Sequence, residues 1–302
     1  MELCSGGDLF SVLQRAGAPL SEHAVRFCLA SVAIGLQHCH EQGVLYRDLK
    51  PENVFIDGEG YPKLGDFGLC KAGLSKDSMF KGGASYCGTH EYSAPEVAAH
   101  DVARPASADR GAPAYGFACD WWSFGVMAFE LLTGLPPFFA CRAKRANVPM
   151  SLQFDFAAVP FPSHVSSSAK ALVRALLVRD PAGRLGTRDG AAEVLSHAFF
   201  GGPMSVISRV NSLRDRSVRS PLLPLLPEVD HRGVPRAPAA PGRVRATFST
   251  STMDANARAR ALERGRRGDY AVRSFASSDS TAFRSVADVL AERAATSVSS
   301  PP

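Results

Sequence analysis

Residues Tyr46 to Asn53 read YRDLKPEN, and 18 residues after Asp48 comes the triplet Asp66-Phe67-Gly68. Within eight positions the first stretch places a carboxylate at Asp48, an amine at Lys50 and an amide at Asn53, with Pro51 stiffening the chain between them. A carboxylate can orient a hydroxyl and take its proton, an amine can meet a charged phosphate, and an amide oxygen can face a hard cation. Upstream, apolar or small residues at Ala24, Phe27, Cys28, Ser31, Val32, Gly35, Leu36 and Cys39 follow helical spacing, with Ser21 placed to cap the helix and Gly43 to stop it. Downstream, the short runs 54–56 and 61–64 are strand-like and flank Asp57-Gly58-Glu59-Gly60, a turn sequence. The charged residues therefore belong to loops held by regular structure, and the strand, turn and strand bring Asp66 back beside Asn53.

Further helices are expected over 118–132 and 168–178, the latter with Leu172, Val173, Leu176 and Leu177 on one stripe. The fold class is thus mainly α with a short β-hairpin. Residues 98–114 are rich in Ala, Pro and Gly without periodicity and read as a surface insertion. Beyond Gly201 Pro, Ser, Ala and Arg dominate, so 203–302 reads as a largely disordered tail, with helical potential only near 252–264 and 283–294.

The formal charge of +5 divides unevenly, since residues 203–302 hold 16 Arg against 9 acidic residues and leave the rest of the chain slightly negative. The basic character belongs to the tail, which gives no strong nucleic-acid signal. Seven cysteines lie singly, with no C-x-x-C pair, so neither a zinc site nor a disulfide framework is indicated. His38-Cys39-His40 reads as helix-end packing, because neighbours at i and i+2 point to different faces. No signal peptide is evident, and the most apolar stretch, 121–132, is too short to span a membrane and contains Glu130. A cytoplasmic location is expected.

Together, YRDLKPEN, DFG and the Ala94-Pro95-Glu96 triplet occur in the order and approximate spacing of the eukaryotic protein kinases, and the chain resembles that family. Tyr46 in place of His, DFGLCK, SYCGTHEYSAPE, DWWSFG at Asp120, PPFF at Pro136 and RLG at Arg184 further resemble the AGC group of serine/threonine kinases. That group includes the cyclic-AMP-dependent kinase, protein kinase C and the ribosomal S6 kinases. The resemblance implies an ATP- and Mg²⁺-dependent transfer of the γ-phosphate to Ser or Thr, with Asp48 as base, Lys50 on the phosphate, and Asn53 and Asp66 as metal ligands. It implies a phosphorylation site at Ser85, set by an upstream activating kinase and paired with Arg47. Thr89 would border the substrate beside Asp48 and Lys50, Asp120 would brace the catalytic loop, and Glu96 would pair with Arg184. Asp8, Glu52 and Glu130 match positions that read arginines upstream of the target hydroxyl, so Arg-containing protein substrates are implied. His90 and Ser93 depart from the group's usual residues and imply a more polar pocket after the phosphosite.

By the same resemblance residues 1–7 are the remnant of an inter-lobe hinge, with Met1 at the gatekeeper, Glu2, Cys4 and Asp8 along the nucleotide edge and Phe55 under the adenine. Residues 8–202 would form the C-terminal lobe. No lysine precedes Lys50, so the Gly-rich loop, strand Lys and helix Glu of a whole kinase have no counterpart here. Three readings stand: part of an active kinase, a truncated pseudokinase or substrate-binding scaffold, and a related small-molecule phosphotransferase, against which the activation segment 66–96 argues.

Overall fold

In the computed structural model, described over residues 2–75, 78–102, 114–137, 159 and 161–227, seven helices pack around a small sheet. The sheet has three antiparallel strands in the order β1 (Gly7–Asp8), β2 (Val54–Ile56) and β3 (Pro62–Leu64). The expected hairpin is β2 and β3, with Val54 opposite Leu64 and Ile56 opposite Pro62, and β1 adds Asp8 opposite Phe55. Asp57 shapes the turn, because its Oδ1 accepts from the N–H of Glu59 at 3.0 Å and of Tyr61 at 2.9 Å while Gly60 takes φ +86°.

Helix α1 (Leu9–Ala16) is capped by Asp8, and α2 (Glu22–Glu41) by Ser21, whose hydroxyl accepts from Ala24 N–H at 3.2 Å. Gly43 at φ +68° follows the end of α2. After α3 (Pro95–Val102) comes α4 (Ala118–Thr133), buried along almost its whole length: Trp121, Trp122, Phe124 and Leu131 are all fully enclosed. Such a helix, with large apolar residues around its circumference, must be covered on every side. Helices α2 and α5 (Ser167–Leu176) cover it, and α6 (Gly190–Leu195) packs on α2. Gly125 permits the close approach of α4 and α5, since a Cβ there would lie 2.7 Å from Leu176 Cβ.

Two expectations change. Helix α3 runs through Val102 and buries Ala98 completely, so order reaches into the stretch read as an insertion from residue 98; residues 103–113 lie outside the described ones. Order also continues beyond residue 203, as α7 (Val206–Arg214) and a strap reaching Leu226, with Val210, Leu213 and Leu222 buried. The local sequence is Arg- and Ser-rich, and its order comes from contacts with α2 and the β2–β3 turn. The helices expected near 252–264 and 283–294 lie outside the described residues. Among the described residues, no helix is long and apolar enough to cross a membrane.

Candidate active site

Asp48 sits in the loop between α2 and β2, 7% exposed, and accepts four hydrogen bonds. Oδ2 receives Lys50 Nζ at 2.9 Å and Asn53 Nδ2 at 2.8 Å, while Oδ1 receives Thr89 N–H at 2.9 Å and Thr89 Oγ1–H at 2.7 Å. Lys50 Nζ also donates to Thr89 Oγ1 at 2.7 Å, so the loop and the segment before Ala94-Pro95-Glu96 close on one carboxylate. Gly88 makes this closure possible: at φ +95° its missing Cβ would stand 2.4 Å from Arg47 O.

The loop is held from below by Asp120 in the first turn of α4, fully buried. Its Oδ2 accepts from Tyr46 N–H at 3.0 Å and lies 2.8 Å from His40 Nε2, and its Oδ1 accepts from Arg47 N–H at 2.8 Å. His40 stacks on Phe117 at 4.5 Å and Cys39 is buried, so this histidine-rich helix end packs and braces. Burial pushes the Cys39 thiol up to about 12, which keeps it protonated and inert.

Asn53 and Asp66 come together through the sheet. Gly65 N–H donates to Asn53 O at 3.0 Å just beyond the β2–β3 pairing, and the Tyr46 hydroxyl donates to Gly65 O. Asn53 Nδ2 also donates to Asp48 O at 2.8 Å, so both donations of its amide nitrogen go to Asp48. Asp66, exposed and at φ +48°, accepts from Gly68 N–H at 3.2 Å. An amide oxygen and a carboxylate are hard donors of the type Mg²⁺ takes, so this donor set fits that ion.

Of the residues expected to face arginines, Asp8 is half-buried and spends both oxygens capping α1, on Ser11 N–H at 2.7 Å and Ser11 Oγ at 2.8 Å. Glu52 is exposed. Glu130 is not at the surface: it is 3% exposed and accepts the Tyr92 hydroxyl, and burial followed by the Glu130 charge holds that phenol far above its ordinary range. Among the expected nucleotide contacts, Phe55 and Cys4 are half-buried and Glu2 turns its carboxylate to Lys63. Met1, and the two phenylalanines of PPFF at 138 and 139, lie outside the described residues.

Ser85 is exposed, and its carbonyl accepts the Tyr115 hydroxyl at 2.6 Å. Tyr115 also meets Cys87 Sγ at 3.4 Å and hydrogen-bonds the Arg47 guanidinium; burial pulls the Arg47 pKa down, and that bond together with the neighbouring Cys87, Tyr115 and Cys119 raises it overall. Arg47 Nε donates to Leu69 O at 2.6 Å, so one phenol links the arginine to the serine expected to meet it. Sequence reading missed Tyr115, which closes an aperiodic stretch and carries no local signal. Gly83 admits it, since a Cβ there would lie 2.2 Å from the ring. His90 bonds the Tyr86 hydroxyl at 2.7 Å and Ser93 donates to Thr89 O at 3.0 Å, so both atypical residues make polar contacts here. Glu96 and Arg184 form a bidentate pair at 2.7 and 3.0 Å, with Arg184 1% exposed and also donating to Ala118 O at 2.7 Å.

Residues 1–200 match the protein kinase domain family. The chain belongs to the protein kinases. It is 39% identical over 231 residues to human ribosomal protein S6 kinase alpha-1, a match that covers 76% of this chain and 28% of that protein. Ribosomal protein S6 kinase beta of Caenorhabditis elegans is 39% identical over 201 residues, covering 66% of this chain and 33% of the relative. Human ribosomal protein S6 kinase alpha-3 is 40% identical over 225 residues. These relatives place the kinase in the AGC group, and this chain spans about a third or less of their length.

Proposed function

We propose that this kinase region transfers the γ-phosphate of ATP to serine or threonine in protein substrates that carry arginine upstream of the acceptor. The observation that carries the reading is the Asp48 carboxylate, on which Lys50, Asn53 and Thr89 converge from the loop and from the segment before Ala94-Pro95-Glu96. Asp48 orients the substrate hydroxyl and accepts its proton as the oxygen attacks. Lys50, already beside Asp48, offers its charge to the phosphoryl group being transferred. Asn53 and Asp66 are the residues that would hold Mg²⁺, which supplies charge neutralisation when bound with the nucleotide. Glu2, Cys4, Asp8 and Phe55 form the proposed nucleotide edge. Glu52 is the exposed carboxylate offered to substrate arginines; Asp8 would have to share the oxygens that cap α1 to join it, and Glu130 is buried on Tyr92. Phosphorylation of Ser85 by an upstream kinase would add a dianion next to Tyr115 and Arg47 and fix the loop that carries Thr89.

A second reading is a substrate-binding module without efficient catalysis. Two experiments separate them. In-frame translation upstream of the Met1 codon that yields a Gly-rich loop and a strand lysine supports the kinase, and a nearby stop codon supports the module. The polypeptide of these 302 residues is expected to label an Arg-x-x-Ser peptide weakly or not at all. Strong Mg²⁺-dependent labelling, abolished by Asp48→Asn, would show that the polypeptide is catalytic by itself.

A further inference from the structure

Helix α7 ends in an unusual way. Arg216 N–H donates to Leu213 O at 3.4 Å and Ser217 N–H to Ser212 O at 3.0 Å, the paired bonds of a Schellman motif, which puts Arg216 at the left-handed position with φ +52°. Glycine is the usual residue there. Arg216 is held instead by three contacts from the β2–β3 turn: Asp57 Oδ2 at 2.7 Å, Glu59 Oε2 at 2.6 Å, and the Tyr61 ring 4.9 Å from its guanidinium carbon. The strap that follows is tied to the same turn, since Tyr61 donates to Val218 O and Ser220 Oγ donates to Gly60 O at 2.7 Å. It then reaches α1, where Arg15 Nε donates to Leu225 O at 2.8 Å.

Ser217 is the exposed residue at the centre of this arrangement, with Arg214 three residues before it, Arg216 one before and Arg219 two after, all exposed. Its hydroxyl makes only a long contact to Ser212 O, at 3.4 Å. Ser220, the neighbouring hydroxyl, is 3% exposed and engaged on both sides, by Gly60 O and by Leu222 N–H at 3.1 Å. We propose that Ser217 is a phosphoacceptor for a serine kinase with an acidic substrate groove, and that its phosphorylation releases the 206–226 strap from the β2–β3 turn.

In the transfer, Ser217 Oγ bonds to the γ-phosphorus of ATP as the bond from that phosphorus to the bridging oxygen breaks. ADP leaves, and the hydroxyl proton passes to the modifying kinase's carboxylate base. The product carries a charge of roughly −1.5 to −2. It stands just past the C-terminus of α7, where the helix dipole repels an anion. It is also chain neighbour to Arg216, the guanidinium on which Asp57 and Glu59 depend, and competes with both for it. Asp215 adds a further negative charge on the same turn.

The test uses the full chain, an added basophilic serine kinase that prefers Arg at the third position before the acceptor, and MgATP. The expected result is a mass gain of about 80 Da localised to Ser217, absent from Ser217→Ala and slowed at least about tenfold in Arg214→Ala. Hydrogen exchange of amides in 213–222 is expected to quicken at least about tenfold on phosphorylation, with Arg216→Gln reproducing the change in unphosphorylated protein. A full chain left bare at Ser217 while a synthetic 209–222 peptide is modified would overturn the site. Modification with unchanged exchange would overturn the release. Because the kinase is supplied, neither result depends on whether this chain is itself catalytic.

Discussion

Asp120 shows how much one buried carboxylate can organise. It has no solvent exposure and holds two backbone N–H groups and one imidazole. An orphaned buried donor costs about 1–3 kcal/mol, so Asp120→Ala is expected to lower stability by about 3 kcal/mol or more in urea denaturation. An Asp120→Ala protein with wild-type stability would mean that the loop is held elsewhere. Arg47 is the neighbouring case: φ +71° is costly for a side chain with a Cβ, and the Asp120 bond to its N–H helps to keep it there. The motif residues were legible at this scale because their types and spacing mark the family. Tyr115 was not, because what makes it matter is a meeting with Arg47 on one segment and with Ser85 and Cys87 on another.

Among the elements, the α4–α5 contact is the tightest constraint. Gly125 faces Leu176 and Leu177 with no room for a methyl group, so Gly125→Ala must push the helices apart or force a rotamer change. Overpacking of this kind costs about 1–3 kcal/mol, and that loss is expected in thermal unfolding despite alanine's better helix propensity. Net stabilisation would show that the helices can separate freely. Helices α2, α4 and α5 follow from periodicity and composition, with bounds close to those expected. The third strand did not follow, because Gly7–Asp8 is too short to show a pattern and exists only by pairing with β2. Helix α3 was hidden in the same way, beside an aperiodic stretch, and is fixed by burial of Val97 and Ala98.

Across the whole molecule, the strap from α7 to Leu226 ties the end of the described chain back to the sheet. Asp57 is its electrostatic centre, meeting Arg216 at 2.7 Å and Lys63 at 3.3 Å. Burial alone would raise its pKa, but the Tyr61 N–H, Arg216 and Lys63 together hold it below the ordinary carboxylate value. A folded pKa below the unfolded one gives stabilisation that is present above the unfolded value, about 3.9, and lost as pH falls through the folded one. Amide protection of α7 and the strap is therefore expected to hold from about pH 8 to 5 and to fail below about pH 4. Asp57→Asn should flatten that acid transition; an unchanged acid profile in the variant would remove Asp57 from this role.

What the sequence determined by itself was the family and the helical core, since these rest on motif spacing and on periodicity. Only the tertiary structure decided that residues 206–226 pack on the fold. Residues 206–226 look like solvated tail because Arg and Ser carry no folding signal along the chain. They are ordered because Arg216 finds Asp57, Glu59 and Tyr61 across the fold, and Leu222 finds the core. Charge pairing and burial between segments more than 150 residues apart leave no periodic trace in either segment, and they are what turned a basic tail into a strap.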